Sequence, residues 1–187
     1  MAYAKFHNIP EAPVINLLEG NWKMIRSPFQ VLSEGKFTPW KETFRYSTGS
    51  DDFRFHAFGT KVEGNGQRRP KTAETPGQLL SVVKAGFSSS MPGTHVEPHV
   101  GCTDSYSGED GFRERRELNT QFLHMHHSLI LPPALTHVGR AIRVGAESSN
   151  WEDGSCLEFD DSREHEALRR TRGTLGALSL DFEMERG

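Results

Sequence analysis

Two histidines stand in settings that suit a metal ion, far apart in the chain. His99 follows Pro98 within FSSSMPGTHVEPHVGCTD, and His165 lies just past the acids of WEDGSCLEFDDSREHE. Neutral imidazole is a good ligand for divalent transition metals, and two of them leave most of a coordination sphere open. One histidine early and one late, each at an expected strand end, is how a barrel of strands gathers an ion from distant segments. Either histidine alone is more commonly a satisfied turn or core residue.

A third group sits in NTQFLHMHHSLIL, residues 119–131, which reads as a strand closed by Pro132-Pro133. Side chains alternate along a strand, so Phe122, His124, His126 and Ser128 share one face, and Met125, His127 and Leu129 the other. If His126 faces a barrel interior, His124 does too. Imidazoles beside a metal offer two chemistries: a three- or four-histidine centre, or general acid/base groups next to a two-histidine one. His95, four residues before His99, is a weaker candidate, more typical of a turn or rim.

The chain that must position these groups has 187 residues, which suits one well-filled domain. Hydrophobic content is 35% and mean hydropathy −0.60, so the core must be economical. Gly and Pro number 18 and 10, spread along the chain, which fits a turn-rich β fold better than a helix bundle. A formal charge of −3 makes no electrostatic case for nucleic acid or an anionic membrane. No apolar run reaches ~18 residues and the N-terminus lacks a signal-peptide pattern, so a cytoplasmic protein with reduced cysteines is expected. Cys102 and Cys156 fall inside the two histidine stretches, where a disulfide is possible but nothing demands one.

The spacing of Leu17, Leu18, Trp22 and Ile25 predicts a helix over Ile15–Val31, broken near Pro28. Residues 35–43 read as a loop or edge strand and 46–52 as a turn. FRFHAFGTKV, 53–62, alternates as a strand, 64–75 is a basic polar loop, and 76–83 suggests a short helix. Strands are expected at 85–91 and 94–98 around the Pro92-Gly93 turn, then at 119–131, 140–145, 155–159 and 174–182. Residues 105–118 form a polar, Gly-punctuated loop. Its Arg113, Arg115 and Arg116 are candidates for substrate contact, although a solvated loop is the commoner outcome.

Pro92-Gly93-Thr94-His95, Pro98-His99, Gly101 and Thr103, then His126, Leu129 and Pro132, then Trp151, Gly154, Phe159-Asp160-Asp161-Ser162 and Glu164-His165-Glu166, then Asp181, together resemble the aspartyl/asparaginyl β-hydroxylase family. That family is a branch of the iron(II)- and 2-oxoglutarate-dependent dioxygenases. LLEGNWKMIR and Pro70-Lys71-Thr72 resemble further family segments, so the likeness covers nearly the whole chain. The resemblance implies a mainly β fold: a double-stranded β-helix, or cupin-like jelly roll, spanning 1–187, with an N-terminal helix or helices outside it. It implies His99 and His165 as iron ligands, with Gly101 where most of the broader class carries a carboxylate. It implies that Asp160 and Asp161 hold the turn before His165. Asp104, where the family has Asn, reads as a turn residue.

The same resemblance implies that Ser88 and His126 help bind the distal carboxylate of 2-oxoglutarate, where the family adds two arginines. One of those positions is His124 here and the other is Leu175. Guanidinium supplies charge-assisted, often bidentate contacts to a carboxylate, so losing both is severe. A protonated His124, or Arg169, Arg170 or Arg172, can in principle compensate, although each arginine is more commonly a solvated surface charge. The function expected is a non-haem iron oxygenase, dependent on 2-oxoglutarate, that hydroxylates or otherwise oxidises a small molecule, with specialised metabolism suggested by analogy. The alternative is a metal enzyme of the same fold that has abandoned 2-oxoglutarate, an isomerase, cyclase or lyase using His124 or His126 for proton transfer.

Overall fold

The structure is a computed structural model that describes residues 6–7, 13–32, 37–39, 47, 49–57, 60–62, 82–99, 122–130, 140–160 and 163–183. Strand β1 (Phe6–His7) precedes helices α1 (Pro13–Gly20) and α2 (Trp22–Val31). Short β2 (Thr38–Pro39) follows, then β3 (Ser50–Ala57), β4 (Thr60–Lys61), β5 (Val82–Ser90) and β6 (Thr94–His99). The second half is β7 (Phe122–Ile130), β8 (Arg140–Val144), β9 (Glu147–Asn150), β10 (Cys156–Asp160), β11 (His165–Arg169) and β12 (Leu175–Glu183). One sheet runs β1-β10-β7-β12-β5-β3-β2 with β4 paired to β3, and the other runs β6-β11-β8-β9. All pairings are antiparallel.

Alternation on the large sheet divides two cores. Leu178, Leu180 and Phe182 of β12, Met125 and Leu129 of β7, and Phe53, Phe55 and Phe87 pack with Leu18, Ile25 and Phe29 of the helices. Leu175 and Ala177, on the opposite face of β12, join Phe159, Trp151, Ala167, Ile142 and Val144 between the two sheets. Both faces of the large sheet are therefore covered, one by helices and one by the second sheet. Turning the odd-numbered side of β12 inward turns His124, His126 and Ser128 of β7 inward too, since Asp181, Ser179 and Ala177 are their cross-strand partners.

Three local expectations change. The helix breaks at Gly20-Asn21, where the Asn21 side-chain amide donates to the Leu17 carbonyl at 2.7 Å, and α2 continues through Pro28. The carbonyl that Pro28 leaves unserved is that of Met24, on the exposed side of the helix. Residues 50–52, read as turn, open β3, and Val82 and Val83, read as the end of a helix, open β5; the rest of 76–81 lies outside the described residues. In both places edge-to-edge pairing overrides the local signal. Short β2 falls in the segment read as a loop or edge strand, and β4 in the segment read as one strand through 53–62, while β1 and β9 escaped the sequence reading because two to four residues show no period. The Pro92-Gly93 turn is present, with Gly93 at φ 80° and the Thr94 amide donating to the Met91 carbonyl at 3.2 Å. Among the described residues, no helix is long and apolar enough to cross a membrane.

Helix α2 can lie close to the sheet because Gly176 has no side chain: a Cβ there would sit 2.3 Å from the Phe29 ring. Gly176→Ala should lower stability by about 1–3 kcal/mol through overpacking. Phe29→Leu in the same chain should recover part of that loss, as read by urea denaturation.

Glu158 is a second point of tension. It lies on the helix side of β10, 4% exposed, with one carboxyl oxygen lacking a partner, and burial pushes its pKa up to about 7. The folded state then holds this proton above the pH at which the unfolded chain has lost it. Stability therefore falls as pH rises from the ordinary glutamate range to about 7, and levels off above it. In Glu158→Gln the difference between urea midpoints at pH 5 and pH 8 should shrink relative to the unaltered protein.

Candidate functional site

His165 opens β11 and is buried. Its ring nitrogen Nδ1 lies 2.8 Å from the Arg163 carbonyl, which can only accept, so Nδ1 carries the proton. That tautomer leaves the lone pair on Nε2, the form in which imidazole ligates a metal, with the ring oriented by a backbone oxygen behind it. The preceding turn is held by Asp160, whose carbonyl accepts from the Arg163 amide at 3.2 Å and whose carboxylate pairs with the Arg163 guanidinium at 3.4 Å. Asp160 is thus a turn residue, as expected; Asp161 lies outside the described residues.

The register of β11 on β6 makes His165 and His99 direct cross-strand partners. This pairing depends on an irregularity. Ala167, Leu168 and Arg169 pair with Val96, His95 and Thr94, but the register shifts between His165 and Ala167. Two steps along β11 correspond to three along β6, so one extra residue is accommodated at Glu97-Pro98. Strict alternation from Thr94 and Val96 would leave position 99 on the opposite face from His165. The bulge brings positions 99 and 165 directly opposite each other in the register. Proline is tolerated there because β6 is the edge strand of its sheet.

The inward face of β7 adds the expected histidines. His124 and His126 are joined through their Nε2 atoms at 2.8 Å, and His124 Nδ1 pairs with the Asp181 carboxylate. The result is a carboxylate–imidazole–imidazole chain across β12 and β7. Burial, then the neighbouring His124 and Arg169, holds the His126 pKa well below its ordinary value, so this ring is neutral at physiological pH. Phe159 is the hub of the group, with ring centroids 5.2 Å from His124, 5.9 Å from His126 and 5.0 Å from His165. Ser88 is buried on β5 and accepts a hydrogen bond from the Ser179 hydroxyl at 3.2 Å, with Ser179 opposite His126. Ser88, His126, His124 and His165 thus converge on the space between the sheets. His124, His126 and His165 do not form a three-histidine cluster, and among the described residues no group of three metal-ligating side chains is present.

Arg169 is the functional candidate that sequence reasoning undervalued. It ends β11 on the inward face, 6% exposed, with its guanidinium 5.4 Å from the Trp151 ring. The Trp151 ring also lies 6.0 Å from that of His126. Counting by two from His165 reaches Ala167 and then Arg169, a signal that needs only recognition of β11 as a strand. Arg170 and Arg172 are exposed, as most arginines are.

Other candidates fall away from this space. His95 faces outward, 3.3 Å from Glu166 and 3.5 Å from Glu97, and Glu166 also accepts from Arg143 at 2.5 Å. Cys156 is a free thiol on the helix side, where burial raises its pKa and its amide donates to Glu19 at 2.8 Å. Arg113, Arg115, Arg116, Cys102 and Asp104 lie outside the described residues.

Antiparallel strands in two facing sheets, with helices outside and an inward histidine set, define a protein of the jelly-roll, cupin-like class. The family described as Aspartyl/Asparaginyl beta-hydroxylase matches residues 19–184, and the chain belongs to it. It is 32% identical over 163 residues to the mouse aspartyl/asparaginyl beta-hydroxylase, covering 82% of this chain and 19% of that protein. It is 31% identical over 141 residues to the ornithine lipid ester-linked acyl 2-hydroxylase of Rhizobium tropici, covering 75% of this chain and 44% of that one. The chain therefore spans about a fifth of the first relative and under half of the second. A Trichoplax adhaerens prolyl hydroxylase, solved with a hypoxia inducible factor peptide, has the same fold at TM-score 0.55 and 9% identity, covering 88% of this chain and 78% of that one.

Deleting Pro98 removes the extra residue of the bulge and should move position 99 to the other face. Bound metal, measured by elemental analysis after loading, should fall at least tenfold while cooperative unfolding persists.

Proposed function

We propose that this chain is a non-haem iron(II) oxygenase that uses 2-oxoglutarate and hydroxylates or otherwise oxidises a small molecule. The observation that carries the reading is the bulged register that makes His99 and His165 cross-strand partners, with the His165 tautomer set by the Arg163 carbonyl. These residues fit a ferrous ion: two imidazoles supply neutral nitrogen donors, and the rest of the coordination sphere stays open. When bound, iron(II) with 2-oxoglutarate supplies the activation of dioxygen.

The residues of this chain have separate tasks in that reading. His165 and His99 hold the metal. Ser88 and His126 contact the distal carboxylate of 2-oxoglutarate. Phe159, Trp151 and Leu175 keep the space around them apolar, which strengthens every polar contact inside it. The His124–Asp181 pair orients the neutral His126 through its Nε2, and can pass a proton along the same line. Membership of the family, and a relative named for hydroxylating a lipid acyl chain, support an oxidative reaction whose substrate need not be a folded protein.

A second reading, a metal-dependent isomerase, cyclase or lyase of the same fold, draws on Leu175 and His124 standing where the family carries arginines. Purified protein loaded with Fe(II) under argon and titrated with 2-oxoglutarate separates the two. A weak visible charge-transfer band, and succinate formed on adding oxygen and substrate, are the expected results. Neither band nor succinate, with product formed under argon, would favour the second reading. His99→Ala and His165→Ala should each lose iron binding by elemental analysis, and full metal content in either removes the site assignment.

A further inference from the structure

We propose that Arg169 is the cation that binds the distal carboxylate of 2-oxoglutarate in this chain, supplied from β11 where the family uses an arginine at the position of Leu175. The inference builds on the proposed use of 2-oxoglutarate and names a residue that the reading so far lacks.

Burial makes the case. A guanidinium taken out of water incurs a large desolvation penalty unless an anion meets it. Arg169 is 6% exposed, its Nε has no hydrogen-bond partner, and no carboxylate among the described residues pairs with it. Its one described contact of note is the Trp151 face, a favourable but weak partner for a buried charge. Desolvation pushes its pKa down to about 10, so it remains protonated at neutral pH. Arg54, on the inward side of the large sheet, is neutralised by Asp52, and Arg140, the cross-strand partner of Arg169 on β8, is only half-buried. Among the described residues, Arg169 is the fully buried arginine with no carboxylate partner.

Position makes the rest. Arg169 ends β11 and Leu175 begins β12, so both flank the same connection at one end of the barrel. Leu175 packs in the cluster that contains Trp151, the ring Arg169 covers. Trp151 also faces His126, and Arg169 is close enough to His126 to lower its pKa by charge repulsion. A carboxylate bound beside His126 would thus sit within the field of Arg169. His124, at the family's other arginine position, is already matched to Asp181 and adds no uncompensated charge. His165 lies four residues back along the same inward row, about 13 Å at ~3.3 Å per residue.

The same guanidinium could meet a carboxylate carried by the substrate instead, and the test separates the two sources. Mn(II)-loaded protein is titrated anaerobically, by calorimetry and Trp fluorescence, with 2-oxoglutarate and with 2-oxopentanoate, which has a methyl in place of the distal carboxylate. The unaltered protein should prefer 2-oxoglutarate by at least tenfold, the order expected for charge-assisted hydrogen bonds. In Arg169→Gln the preference should collapse to within threefold while Mn(II) binding and 2-oxopentanoate affinity hold. Leu175→Arg added to Arg169→Gln should restore it. In the unaltered protein the Arg169 Nε–H resonance should shift with 2-oxoglutarate and not with 2-oxopentanoate, a readout that needs no variant to fold. A tenfold preference that survives in Arg169→Gln, or an unmoved resonance, overturns the assignment and leaves 2-oxoglutarate use standing, with Arg169 free for a substrate carboxylate. No preference in the unaltered protein overturns both.

Discussion

The pairing of two strand ends, β11 against β6, is the constraint on which the inner chemistry depends. A one-residue slip in a two-residue period turns every side chain to the other face, so the relation of positions 99 and 165 is set by register. The irregularity at Glu97-Pro98 sets it here. Backbone hydrogen bonds on either side of the bulge fix the spacing more firmly than contacts between side chains can. The price is an extra residue on an edge strand, where the cost of a missing ladder bond is lowest.

Around that register the large sheet does two jobs with one alternation. Its helix-facing side is filled by phenylalanines and leucines, with α2 brought close over Gly176. Its inward side carries serines, histidines and Asp181 beside Leu175, Ala177 and Phe159. A polar inner face is affordable only because the other face supplies a full apolar core. Within the polar face, charge is matched locally at Asp52–Arg54 and Asp181–His124, while across from it, on the smaller sheet, Arg169 has no carboxylate partner among the described residues. An unmatched buried charge is costly to the fold, which is why it reads as a group awaiting an anion.

Family membership and local chemistry meet at the same residues but speak to different questions. The match over residues 19–184 settles ancestry. The departures at His124 and Leu175 bear on how the proposed anionic cosubstrate would be held, and there the relatives give no answer. The answer has to come from what lies beside His126 in space, which is Trp151 and, stacked on it, Arg169.

Much of the site was legible in the chain itself. The two histidine motifs, the shared face of His124 and His126 and the Pro92-Gly93 turn follow from spacing and residue chemistry, because alternation and turn preference are local, whereas the turn-holding role of Asp160 came from the family resemblance. Strand β11 was not, since HEALR shows too short a period to announce itself, and without it Arg169 looked like one surface arginine among several. The break at Gly20-Asn21, the opening of β3 at Ser50 and the bulge at Glu97-Pro98 likewise arise from pairing and packing between distant segments. Sequence determined which groups could do chemistry and on which side of each strand they stand. Tertiary structure decided which of those sides meet, because register and burial are properties of neighbouring strands and no single segment contains them.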